Sequence, residues 1–210
     1  MLISCLGVLV GCQSPPQMTT MTARVEKVLS GQTIEVTLLN QQPPVRQQVR
    51  LQGIDAPDRQ QTPWGKNSLE QLTSLIEKNN PQKLVQLELD EPNPNALTQK
   101  PGDKSPIRPG EQNQRLVASV WQNQILLNVA LVQEGYALAQ LPRETEEVNL
   151  NKHQTELLRA QDQARVLGVG IWNPTQPLRL TPIEFRRSQP NPQPTSQKAL
   201  PKPPKKVPQK

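Results

Sequence analysis

Arg50, Asp55 and Asp58 stand close together in Val49-Arg50-Leu51-Gln52-Gly53-Ile54-Asp55-Ala56-Pro57-Asp58, where an apolar stretch runs into an acidic turn. This grouping suits phosphate chemistry. A guanidinium presents paired N–H donors to phosphate oxygens, one carboxylate suits a hard divalent cation, and the second can accept a proton. The same residues also serve ordinary structure. Arg50 and Asp55 can tie strand to turn as an ion pair, and Asp58 can cap the turn that Pro57 favours.

The elements that must position these groups are legible in the hydrophobic pattern. Apolar residues alternate over Ala23–Val28 and Thr33–Leu38, and strand-like patterns continue through Val45–Ile54, Lys83–Leu89 and Leu116–Trp121. Helical spacing connects Leu69, Leu72, Leu75 and Ile76, and two further helices are expected at Leu126–Glu134 and Lys152–Leu167, closed by Gly135 and Gly168. Strands followed by helices, without regular alternation, indicate an α+β domain. Five prolines between Asp90 and Gln114 forbid regular structure there, so that stretch reads as a long loop, either a lid or an exposed insertion. His153 is expected on the helix surface, and Trp64 and Trp172 as packing anchors.

Charge and cysteine usage narrow the function classes. The net charge of +6 is misleading, because Arg186, Arg187 and five C-terminal lysines supply seven of the basic residues. The rest of the chain carries 17 basic and 18 acidic residues, so any anion site on the body must be local. At the N-terminus, Met1–Gly11 is apolar and too short to span a bilayer. Leu9-Val10-Gly11-Cys12 resembles a bacterial lipobox, which makes Cys12 the expected lipid attachment point and the membrane a partner, although a basic leader segment is missing. Cys5 would leave with the leader, so thiol catalysis and zinc–cysteine sites are excluded. Residues 13–22 read as a tether and 187–210 as a Pro- and Lys-rich tail beyond a domain covering 23–180.

An ordered set of motifs flanks the acidic turn. Val28-Leu29-Ser30-Gly31-Gln32-Thr33-Ile34 lies upstream. Gln114-Arg115-Leu116-Val117-Ala118-Ser119-Val120, Asn128-Val129-Ala130-Leu131-Val132-Gln133-Glu134-Gly135-Tyr136-Ala137 and Ala164-Arg165-Val166-Leu167-Gly168-Val169-Gly170-Ile171-Trp172 follow. In this order they resemble the thermonuclease (staphylococcal-nuclease-like) family, from about Ala23 to about Trp172. The resemblance implies a five-stranded OB-type β-barrel with about three helices. It also implies calcium-dependent hydrolysis of phosphodiester bonds in DNA or RNA.

Carried over by motif, Arg50 and Arg115 would bind the phosphate, Asp55 and the Ala56 carbonyl would ligate calcium, and Asp58 would stand for the family's glutamate base, one methylene shorter. Arg115 can equally snorkel at a strand edge. The chain departs from the family at Ser30-Gly31-Gln32-Thr33, where the family has Asp-Gly-Asp-Thr and uses its second Asp as a metal ligand. Gln32 can offer an amide oxygen to calcium but no charge. Asn113, Gln114, Leu141 and Arg143 replace residues that include the family's nucleotide-flanking tyrosines, so base stacking is reduced. The expected activity is that of an exported, monomeric nuclease acting on single-stranded DNA or RNA. The alternative is an OB module that holds nucleic acid or another phosphate ligand without hydrolysing it.

Overall fold

The computed structural model describes residues 19–89, 115–140 and 152–189. Cys12, the loop at 90–114, Leu141, Arg143 and the C-terminal lysines lie outside them.

Three antiparallel strands open the domain: β1 (Thr19–Ser30), β2 (Thr33–Leu38) and β3 (Val45–Leu51). A two-residue strand β4 (Ile54–Asp55), helix α1 (Trp64–Glu77), and strands β5 (Leu84–Leu89) and β6 (Leu116–Gln122) follow. Short β7 (Ile125–Leu126) leads into helix α2 (Leu127–Gln133), β8 (Leu138–Ala139) and helix α3 (Gln154–Leu167). A 3-10 turn at Gly170–Trp172 and helix α4 (Pro182–Ser188) complete the described chain.

The sheet order is β3-β2-β1-β5-β6-β7, and β3 also pairs with β6. That last pairing is parallel and joins Val49 to Leu116, Arg50 to Val117 and Leu51 to Ala118. It closes β1, β2, β3, β5 and β6 into the five-stranded barrel expected of an α+β OB-type fold, leaving no open edge along that seam. The barrel is filled by side chains that alternate inward, among them Val25, Ile34, Val36, Val49, Leu51, Val85, Leu87, Ala118 and Val120, all buried. Helix α1 adds Leu72 and Ile76 to the same core, and α2 and α3 add Leu127, Leu131 and Leu157. Truncating one such leucine to alanine typically costs about 2–5 kcal/mol.

Four details differ from the sequence expectation. The strand expected over Val45–Ile54 breaks after Leu51. Gly53 takes φ +71°, a left-handed turn that suits glycine, and Ile54–Asp55 leaves the barrel to pair with Leu138–Ala139. The expected tether reaches only as far as the start of β1, because Thr19–Thr22 pair with Leu89–Gln86. A fourth helix, α4, takes in Arg186 and the first residues of the expected tail.

His153 is the fourth case, since it is buried at 5 % exposure rather than lying on the surface. It sits at the N-terminal boundary of α3 and faces Glu88, an outward-pointing residue of β5 that the start of α3 covers. Glu88 accepts hydrogen bonds from Trp121 Nε1 at 2.8 Å and Lys152 Nζ at 2.8 Å, and lies 3.3 Å from His153 Nε2. Burial alone would raise its pKa, but these partners outweigh it and hold the carboxyl below its ordinary value.

Candidate functional site

The turn between β1 and β2 is pressed against the rest of the domain. A Cβ at Gly31 would lie 2.5 Å from Ser68 Cβ on α1 and 3.0 Å from Ala56 Cβ, so only glycine allows this approach. The next residue, Gln32, is thereby buried beside β4. Its carbonyl accepts from Leu51 N at 2.9 Å, and its side-chain Oε1 accepts from Ala56 N at 2.9 Å. The amide oxygen expected to face a metal thus caps a buried backbone N–H.

Asp55 lies one residue before that N–H. Its backbone is fixed by pairing with Leu138, and its side chain keeps only 11 % exposure. Arg186 Nη2 on α4 donates to Asp55 Oδ2 at 2.7 Å, while Arg50 Nη2 stands 3.7 Å from Oδ1. The second distance is an ion-pair contact beyond hydrogen-bond length, and Oδ1 is buried without a hydrogen bond. The pKa of Arg50 lies below the ordinary guanidinium value. Burial is the main cause, Asp55 opposes it, and the positive charges of Arg186 and Arg115 add to it. Arg50 stays cationic regardless. Arg115 itself is exposed at the start of β6, whose Val117 pairs with Arg50.

The structure brings Arg50 to Asp55 and Gln32 to Ala56, with Arg115 near enough for its charge to act on Arg50. Asp58 has a different placement. Its Oδ1 accepts from Gln60 N at 3.1 Å and its N–H donates to Gln61 Oε1 at 2.8 Å, so it caps the turn leading to α1. Among the described residues no hydrogen bond or ion pair joins Asp58 to Arg50, Asp55 or Arg186. The sequence reading missed Arg186, which is brought in by a chain of local contacts. Gln61 Nε2 donates to Leu180 O at 2.9 Å, and Thr181 and Glu184 form a reciprocal capping box ahead of buried Pro182. The Thr181-Pro182-Ile183-Glu184 pattern was the signal that could have revealed this helix. A cavity of about 520 Å³ lined by Gln71, Glu134, Tyr136, Gln163 and Gly170 contains none of these site residues.

The barrel with arginines and a carboxylate at its seam is the architecture of a nuclease-type OB domain. The sequence profile described as Staphylococcal nuclease homologue matches residues 48–174, more than half of the chain, and the protein belongs to that family. No curated protein matches the chain. Arg50, Asp55, Asp58 and Arg115 fall inside the matched span, whereas Gln32 and Arg186 fall outside it.

The family is typically calcium-dependent, and the donor set here can be tested against that ion. Calcium takes about six to eight oxygens, and charged carboxylates supply much of its affinity. Here Gln32 Oε1 is engaged by Ala56 N–H, Asp55 Oδ2 by Arg186 and Asp58 Oδ1 by Gln60 N–H. Among the described residues no group of three His, Cys, Asp or Glu side chains is placed to hold a metal. Asp55 Oδ1 is left without a hydrogen bond, but one uncommitted carboxylate oxygen falls far short of the set calcium needs, so this arrangement does not fit the calcium site that the family implies.

Proposed function

We propose that this protein binds the phosphodiester backbone of single-stranded DNA or RNA through Arg50 and Arg115, with hydrolysis weak or lost. One observation carries the reading: the Asp55 carboxylate is contacted by two guanidiniums, those of Arg186 and Arg50, and the positive charge of Arg115 acts on Arg50 beside them. This leaves an excess of positive charge on a body that is otherwise near neutral. The half-buried Arg50 is a preorganised anion donor, because its desolvation strengthens any charge-assisted hydrogen bond it makes. The OB-type barrel supports the same reading, since such barrels commonly carry oligonucleotides on one face.

The second reading is a calcium-dependent phosphodiesterase. It is favoured by the buried Oδ1 of Asp55, which has no hydrogen bond and could face a cation. The lipobox-like Leu9-Val10-Gly11-Cys12 supports a lipid-anchored protein acting outside the cytoplasm, where its ligand would be extracellular nucleic acid.

The deciding experiment follows anisotropy and cleavage of labelled single-stranded DNA and RNA over a salt series, with calcium and with chelator. Salt-sensitive binding without cleavage supports the binding module. Calcium-dependent cleavage that disappears in Asp55→Ala would establish the nuclease instead.

A further inference from the structure

Asp55 is nearly buried, and a buried carboxylate needs a positive partner. In the family resemblance that partner is a divalent cation shared with a second carboxylate. In this chain the second carboxylate is replaced by neutral Gln32, and a guanidinium sits on Asp55 at 2.7 Å. The two changes balance. Removing one negative charge from the ligand set and substituting a monovalent for a divalent cation leave the pair near neutrality.

Arg186 is also not a chance visitor from a tail. Helix α4 is held by its capping box, by buried Pro182, by Gln61 donating to Leu180 O, and by Leu178 N donating to Ile171 O at 2.9 Å. The Arg186 side chain keeps 41 % exposure, so N–H groups not spent on Asp55 remain accessible to a ligand.

We propose that Arg186 is the resident cation of this site. Together with Arg50, which also faces Asp55, and Arg115, whose charge acts on Arg50, it forms a phosphate receptor that works without a divalent ion. This inference rests on the phosphate-binding reading above and extends it to a metal-independent, three-guanidinium site.

The test pairs calcium titration by calorimetry with oligonucleotide anisotropy in chelator, on the wild-type protein, Arg186→Gln and Arg186→Lys. The wild type is expected to show no saturable calcium binding up to about 1 mM, at the weak end of protein calcium sites. Its oligonucleotide binding should be the same with calcium or chelator. Arg186→Gln should bind the oligonucleotide about tenfold more weakly, the loss of one charge-assisted contact, and should acquire saturable calcium binding. Arg186→Lys, which keeps the charge, should remain calcium-silent. Saturable calcium binding by the wild type in this range, or Arg186→Gln unchanged in both titrations, overturns the proposal. If the wild type binds no oligonucleotide, the nucleic-acid reading fails, and the calcium titrations alone decide the role of Arg186. Should Arg186→Gln not fold, the wild type and Arg186→Lys carry the test: calcium-insensitive binding in both supports it, and calcium-dependent binding in either overturns it.

Discussion

The Asp55 carboxylate and the Arg186 guanidinium lie 131 positions apart in the chain and meet at 2.7 Å. This contact joins the turn after the barrel's third strand to the last described helix, and so makes the C-terminal segment part of the site.

Arg50 contributes both charge and planar geometry. Arg50→Ala should weaken single-stranded DNA binding by about tenfold and lower the salt slope by about one phosphate contact. Arg50→Lys should recover only part of that loss, because an ammonium cannot make the bidentate contact of a guanidinium. Anisotropy at several salt concentrations measures both effects.

Asp55 separates the two functional readings. For a binding module, Asp55→Asn removes the carboxylate that Arg50 and Arg186 contact, so anion affinity at low salt should rise several-fold. For a nuclease, the same change should abolish cleavage. The Arg186 contact is lost either way, and with Arg186 partly solvent-screened the stability cost should be about 1–3 kcal/mol by denaturant unfolding.

Gln32 is expected to matter for folding before it matters for chemistry. Gln32→Ala leaves the buried Ala56 N–H without its acceptor, which should cost about 1–3 kcal/mol. Gln32→Asp alone should not create calcium binding while Arg186 occupies Asp55. Combined with Arg186→Gln it should, as calorimetry would show. Calcium binding by the single Gln32→Asp variant would mean that Arg186 yields easily.

Glu88 should govern stability in acid. Its carboxyl pKa is held below the ordinary 4.5 in the folded protein, despite burial, by Lys152, Trp121 and His153. His153 Nδ1 also lies 3.4 Å from a carboxylate oxygen of Glu156. A lowered folded-state pKa contributes stability above the unfolded value, and that contribution is lost as pH falls through the folded pKa. The melting temperature should therefore drop as pH falls below about 4.5, and Glu88→Gln should flatten that decline while lowering stability at neutral pH. Melting curves between about pH 3 and pH 7 give the comparison.

What the sequence revealed follows from how local each feature is. Arg50 and Asp55 are close in the chain, and Arg115 immediately precedes a strand whose apolar run is unmistakable, so all three could be singled out by motif order. Arg186 was obscured because its partner is distant and its neighbours are basic and proline-rich, although the capping box at Thr181 and Glu184 marked a helix. His153 was misjudged because the helical pattern identifies an element's faces but not what covers its first turn. Here the first turn packs over Glu88 of β5, which buries both side chains. Gly53 ended a strand that the apolar run alone would have continued to Ile54.

The parallel pairing of β3 with β6 has a consequence for assembly. Arg50 and Arg115 stand on opposite sides of the seam where early and late parts of the chain meet, so neither can share a ligand until that seam has formed. A phosphate held between them would therefore act as a clasp that engages only the finished barrel. By mass action it would raise the melting temperature in proportion to the logarithm of ligand concentration. Occupancy of the site would then report, from the ligand's side, that the β3–β6 seam is closed.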